Sequence, residues 1–358
     1  MTQQHKNSSA FLINPIKPGR QAGFSLIEVM IAMTIFLVVI AAVYQVMRVS
    51  LIQRNTASTR IDAVKSARIA LNYIRRDAIN AGLSYHNIGG LTSIGFVNRA
   101  VGIPTDTDFD RDVLTGIISG RAVSTNSLNT APNAKMDSIG FVSRDLTFND
   151  GNFISITGTS VFGGDVIVKT GANQALNCKP YDLYLLETGT SQMVGLVTEV
   201  PTNSSFKLGF GTAVDPLGIN QSAIGTGNNQ SLLVDANITG TLKRISLVTY
   251  SVSPNGVLLR TTYGNNTGQP KDQQIQTREL IYNVQNFQVN YLMEDGTITS
   301  DPSSGNNGRL NQQKMNRIIQ IEINMTVLQS GDSSNMQMSA PIGIKEVISA
   351  RNLRYTVS

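Results

Sequence analysis

Cysteine and histidine are nearly absent from the chain, and their scarcity removes whole classes of chemistry. Cys178 is the single cysteine among 358 residues, so no disulfide can form within the chain, and neither a cysteine zinc site nor a Cys-x-x-Cys redox pair can be built. Histidine occurs twice, at His5 in the polar opening stretch and at His86 in a Gly/Asn-rich stretch. Any histidine-dependent acid–base or metal scheme in the body of the chain would have to run through His86. No Gly-x-Ser-x-Gly elbow or Walker loop is present, and Gly225-Thr-Gly227-Asn-Asn-Gln230 lacks the third glycine of a dinucleotide fingerprint. An enzyme is not expected. Nor does any period of 20 to 50 residues repeat.

Charge is sparse as well, at 15% of residues, with a formal net value of +5. The stretch 1–23 holds Lys6, Lys17 and Arg20 and no acid, so the rest of the chain is close to neutral. Basicity is therefore a poor argument for a nucleic-acid partner. The remaining excess is local: Arg48, Arg54, Arg60, Lys65, Arg68, Arg75 and Arg76 face only Asp62 and Asp77 between residues 48 and 82.

Glycine and proline are both missing from Phe24 to Ala81, which removes the usual helix breakers from that whole interval. Its first part, Phe24 to Met47, is mostly apolar and carries one charge, Glu28. At about 1.5 Å per residue it makes a helix of roughly 36 Å, enough to cross a hydrocarbon core of about 30 Å. A carboxylate in such a run is costly. Glu28 lies near the start, where it can reach toward headgroups and favours the positive end of the helix dipole. Beyond Met47, Ile61, Val64, Ala67, Leu71, Ile74 and Ala78 recur at three- and four-residue steps, the stripe of a helix buried on one side. One helix from Phe24 to about Ala81, stopped at Gly82, is the expected structure.

The words around Glu28 are specific. Gly23-Phe24-Ser25-Leu26-Ile27-Glu28, after a short basic polar leader and before the apolar run, resembles the processing signature of type IV prepilins. An ordinary secretory signal is cut after its apolar region, whereas this arrangement would be cut before it and keep the helix. The resemblance implies cleavage by a prepilin peptidase between Gly23 and Phe24 and N-methylation of Phe24. It also implies an assembly role for Glu28 against the terminal amine of a neighbouring subunit.

From Leu83 the composition turns to Gly, Asn, Ser and Thr with short β-branched runs, the pattern of strands joined by loops. Strands are expected at 138–142, 153–156, 165–169, 182–187, 193–200 and 206–210. After a Gly/Asn-rich stretch at 218–230, more are expected at 242–252, 257–262, 280–293, 316–328 and 352–357. Ser253-Pro-Asn-Gly256 and Glu294-Asp-Gly296 read as hairpin turns. The C-terminal set, from Leu247-Val-Thr-Tyr-Ser-Val through Arg317-Ile-Ile-Gln-Ile-Glu-Ile, looks like the sheet of large minor pilins of the PilW type and of J-type pseudopilins. The expected class is α+β: a long N-terminal helix, transmembrane and then amphipathic, packed on a large antiparallel sheet domain, pilin-like. The expected divisions are leader 1–23, transmembrane or filament-core helix 24–47, amphipathic helix 48–82 and β-rich domain 83–358.

By resemblance the chain is a minor pilin of a type IV pilus, acting in assembly initiation or at the filament tip. A J-type pseudopilin of type II secretion and a pilus-borne adhesin or DNA receptor are the alternatives. A membrane-anchored hydrolase is more distant. The implied partners are other minor and major pilins, the prepilin peptidase, the inner-membrane assembly platform and, before extraction, membrane lipid. Nucleic acid is not expected, since no aromatic residues interleave with the basic helix face to stack bases. The implied location is a single pass in the inner membrane, then the pilus and cell surface, with the globular domain extracytoplasmic. No cofactor is expected. Asp106, Asp108, Asp110 and Asp112 stand at alternate positions, the spacing of oxygens in a calcium loop. Arg111 occupies the place of the EF-hand glycine, and Ile117 that of its bidentate glutamate. A solvated acidic loop eased by Arg111 is the simpler reading, and a calcium site the alternative.

Overall fold

The computed structural model describes residues 23–85, 89–103, 111–129, 134–162, 165–189, 191–210, 214–220, 238–302, 314–329 and 341–350. Packing divides the chain between Ala57 and Ser58. Helix α1 is Leu26–Asn80, 55 residues without interruption, within two residues of its expected ends. It stops where Gly82 takes a φ of +74°, a conformation that costs glycine little. From Gly23 to Ala57 every residue is exposed within the chain. That half of the helix has no fold of its own to pack on.

From Ser58 onward the chain is α+β. The strands among the described residues are β1 (Gly90–Leu91), β2 (Val113–Leu114), β3 (Ile117–Thr125), β4 (Lys135–Arg144), β5 (Ile154–Phe162), β6 (Asp165–Thr170), β7 (Leu183–Thr188), β8 (Gln192–Leu196) and β9 (Glu199–Thr202). Then come β10 (Ser205–Leu208), β11 (Gly240–Val252), β12 (Leu258–Tyr263), β13 (Ile275–Ile281), β14 (Val284–Met293), β15 (Ile298–Thr299), β16 (Ile318–Val327) and β17 (Ile342–Ser349). A short helix, α2 (Phe96–Ala100), lies between β1 and β2.

Strand β11 is where the larger sheet joins together. That sheet has 13 strands in the order β2-β1-β8-β7-β11-β5-β6-β10-β9, with β4 and β12 also on β11, β3 on β4 and β13 on β12. The first residues of β11, from Gly240, pair with β5 and β7, and its second half pairs with β4 and β12. One strand thus belongs to two stretches of sheet. All pairings are antiparallel except that of β1 with β8. A second sheet, β15-β14-β16-β17, has four strands. Asp137 on β4 ties the two sheets: its carboxylate accepts the N–H of Val289 on β14 at 3.0 Å and that of Ala122 on β3 at 2.9 Å. Burial pushes its pKa up, and those two bonds pull against the shift.

The second half of α1 packs on both sheets. Ala67, Ala70, Leu71, Ile74, Ala78 and Ala81 share one core with Phe141 of β4, Tyr250 of β11, Phe287 of β14 and Ile321 of β16. Three of the five helix positions are alanine, as is Ala81 just beyond the helix end. Two further cores, around Leu185 and around Tyr184 and Phe206, lie away from the helix. Ile61 corrects the expected stripe: it is 52% exposed, and Val64 is only half-buried. Ten residues at about 100° each carry Ile61 roughly 80° round the helix from Leu71. Burial therefore begins near Ala67.

Most expected strands are present, and the differences have local causes. The run 193–200 is two strands, because Val197 and Thr198 turn their N–H groups to Asp182 and Lys207. The run 280–293 also breaks, at Asn283, whose φ of +61° is tolerated by asparagine. There the chain leaves the larger sheet for the smaller. Both hairpin turns form, with Gly256 at φ +73° and Gly296 at φ +83°. Strands β1, β2, β3, β15 and β17 were not expected. In β3, Gly120 and the left-handed Ala122 (φ +54°) interrupt the alternation, and the register with β4 shifts there. The run 352–357 lies outside the described residues.

Ile74 is fully buried and Ile61 is not, which sets a paired test of the helix-on-sheet packing. Ile74→Ala is expected to cost about 2 to 5 kcal/mol, and Ile61→Ala less than about 0.5 kcal/mol, in denaturant melts of the detergent-solubilised chain. Equal effects would contradict the packing.

Candidate functional site

The run from Gly23 to Ser25 is outside any helix or strand, and the chain turns helical at Leu26. A Cβ built on Gly23 meets nothing within 4 Å. The fold itself makes no demand for glycine there. Phe24 is 87% exposed, so the Gly23–Phe24 bond lies open to a second molecule.

Glu28 closes the first turn. Its Oε2 accepts the N–H of Ser25 at 3.0 Å, and Ser25 C=O accepts the N–H of Val29 at 3.2 Å. Ser25-Leu-Ile-Glu28 is thus the glutamate half of a capping box, with the carboxylate reaching back to a donor that a helix start leaves unsatisfied. Backbone geometry thus holds the carboxylate at the positive end of the dipole, beside the residue next to Phe24. Further along, Thr34 returns its hydroxyl to Met30 C=O at 2.8 Å, which spares the apolar surface an unpaired donor. Among the described residues, α1 is the one helix long and apolar enough to cross a membrane.

Comparison with protein families gives a match to the prokaryotic N-terminal methylation motif over residues 18–44. The match takes in Gly23, Phe24 and Glu28. No curated protein matches the chain. The chain therefore carries the N-terminal signal of prepilin-like proteins, joined to a single membrane-anchor type of helix and a mostly antiparallel β unit. Those features support a type IV pilin or pseudopilin-like protein.

The other residues singled out in the sequence fall elsewhere. Asp112 is buried, and its Oδ2 accepts the N–H of Val97 at 2.6 Å in the first turn of α2. Asp106, Asp108, Asp110 and His86 lie outside the described residues, as does Gly225 to Gln230. No group of three or more His, Cys, Asp or Glu side chains able to hold a metal ion occurs among the described residues. Cys178 is buried in a core beside Tyr184, and burial pushes its thiol up to about 11. Such a thiol is inert.

Sequence reasoning passed over Asp77. Its Oδ2 accepts the Tyr250 hydroxyl at 2.7 Å and Arg260 Nε and Nη2 at 3.1 and 3.0 Å, while Arg76 Nε reaches Oδ1 at 3.2 Å. The helix is thereby bound to β11 and β12 by charge as well as by apolar contact. Burial opposes the Arg260 charge, yet Asp77 and Tyr250 together leave its pKa raised. Burial, then Asp77, raises that of Tyr250. The signal was available: Asp77 sits between Ile74 and Ala78, on the flank of the buried stripe, where an acid needs a partner.

Asp77→Ala is expected to lose about 1.5 to 3 kcal/mol, the usual range for hydrogen bonds to charged groups. Denaturant melts would show it as a lower midpoint with an unchanged slope. A midpoint like the parent's would mean that Tyr250, Thr262 and solvent satisfy Arg260 without Asp77.

Proposed function

We propose that the chain is a minor pilin of a type IV pilus that acts in assembly initiation or at the filament tip. The observation that carries this reading is the methylation motif over residues 18–44, set on a helix whose first half is exposed all round. The role is non-catalytic. A prepilin peptidase hydrolyses the Gly23–Phe24 amide, and the freed Phe24 amine is methylated. The open surroundings of Gly23 support such access. The methylated amine still carries a proton near neutral pH, since an α-amino group titrates at about 8.

Glu28 then becomes the partner of a neighbour's amine. A lone ion inside an apolar bundle costs several kcal/mol, and a well-placed counter-ion offsets that cost. Helix-to-helix packing replaces lipid contacts as the subunit leaves the membrane, and the ion pair sets its register. A J-type pseudopilin would use the same physics; recovery of this chain from sheared surface pili distinguishes the two.

Processing has a direct measurement. Intact mass of the membrane-extracted chain is expected to correspond to a start at monomethylated Phe24, and a start at Met1 would overturn the assignment. Glu28→Leu tests the pairing. It should leave processing and domain stability near those of the parent, while recovery from sheared filaments falls steeply, because an unpaired buried charge costs about 3 to 5 kcal/mol. Equal recovery of the two chains would show that Glu28 serves its own helix start and no neighbour.

A further inference from the structure

Helix α1 stops at Asn80, but strands β4, β11 and β12 run on, and past the helix end lies a cleft of about 590 Å³. Ligand sites typically measure about 300 to 1,000 Å³. The pairing register explains what lines it. Phe141 of β4 stands opposite Val248 of β11, and both belong to the core shared with the helix. Two residues along each strand, and so on the same face, Ser143 stands opposite Ser246. On both strands the apolar residue thus meets the helix and the serine lies in the cleft. Val248 also faces Thr262 of β12, which in turn faces Gln276 of β13. Thr262 and Gln276 line the cleft as well, with Asn80 and Leu83 from the close of α1.

Most of these polar groups are uncommitted. Among the described residues, the side chains of Asn80, Ser143, Ser246 and Gln276 make no hydrogen bond. Thr262 Oγ1 accepts Arg260 Nη1 at 3.1 Å and keeps its own hydroxyl proton to donate. The charged residues of the cleft, by contrast, are matched. Arg244 lies 3.3 Å from Asp145 and 3.5 Å from Asp182. Arg144 donates Nη2 to Gly151 C=O at 2.6 Å and lies over the Phe153 ring, 4.3 Å from its centroid. An anion that approached the two guanidinium groups would meet Asp145 in the same wall. A neutral ligand meets no such repulsion.

Hydroxyls and primary amides each both donate and accept, as do the hydroxyls of a sugar. Asn80 and Gln276 add a narrower preference, because an amide that offers N–H and C=O side by side is complemented by a second amide. Leu83 and the exposed Leu146 also line the cleft, and give a methyl group or the C–H face of a sugar ring somewhere to leave water.

We propose that this cleft binds an oligosaccharide of N-acetylhexosamine units. The acetamido groups exchange hydrogen bonds with Asn80 and Gln276, the ring hydroxyls with Ser143, Ser246 and Thr262, and the acetamido methyls cover Leu83 and Leu146. The proposal goes beyond the pilus reading and does not rest on it.

The test uses the full chain in a detergent without a sugar headgroup, titrated with chitotriose, the β-1,4-linked trimer of N-acetylglucosamine. Saturation-transfer NMR on the acetamido methyls is expected to show saturable binding. Cellotriose, which has the same backbone with hydroxyls in place of the acetamido groups, should bind about tenfold more weakly or worse, and inorganic phosphate should not displace chitotriose. Gln276→Leu removes an exposed amide at similar size. It should weaken binding by about tenfold, the upper range for one hydrogen bond, with an unchanged denaturant midpoint. Ser246→Leu fills the floor and should abolish binding; if that variant lowers the midpoint, Gln276→Leu alone decides. The proposal is overturned by the absence of saturable binding, by cellotriose binding as tightly, by displacement with phosphate, or by an affinity that Gln276→Leu leaves unmoved.

Discussion

A single helix without glycine or proline must satisfy two environments, and the rest of the architecture depends on how it does so. Up to Ala57 its side chains are exposed within the chain. From Ala67 to Ala81 one narrow face is buried to completion. The alanines of that face are as informative as its larger residues. Leu71 and Ile74 supply about 1.5 to 3 kcal/mol each, and the alanines complete a buried line that shares one core with both sheets.

The β unit is built to receive that helix. Strand β11 joins two stretches of sheet, Asp137 ties the larger sheet to the smaller, and Asp77 fixes the helix to β11 and β12. Each of the two acids holds donors from separate strands, Asp137 at a buried junction and Asp77 at a partly buried one. Apolar packing would allow the helix to slide along its own axis by small steps. A carboxylate held by a phenol and a guanidinium at about 3 Å does not.

Legibility followed periodicity. The helix and strands such as β6, β7, β11 and β12 carry uninterrupted patterns, and they lie close to where the sequence places them. Where alternation runs on through a break, as at Asn283, two strands read as one. Where a bulge interrupts it, as at Ala122 in β3, a strand goes unread. The failure at Ile61 is different in kind: three- and four-residue steps drift round the helix, and ten residues from Leu71 the drift has turned Ile61 away from the sheets. The glutamate cap at Ser25 went unread, although its Ser-x-x-Glu spacing stands in Gly23-Phe-Ser-Leu-Ile-Glu28. The clamp at Asp77 has no such spacing, because Tyr250 and Arg260 are far away in sequence and meet it only through the fold.

The end of α1 has a mechanical consequence. Just past Asn80 the chain does not leave the sheet: Gly82 N–H bonds to Val142 C=O at 2.8 Å, and Arg144 N–H bonds to Leu83 C=O at 3.1 Å. The helix terminus is stitched to β4, and β4 runs antiparallel to β11 over six paired residues. Tension that reaches the end of the helix is therefore passed into β4 through two backbone hydrogen bonds, beside the Asp77 contacts to β11 and β12.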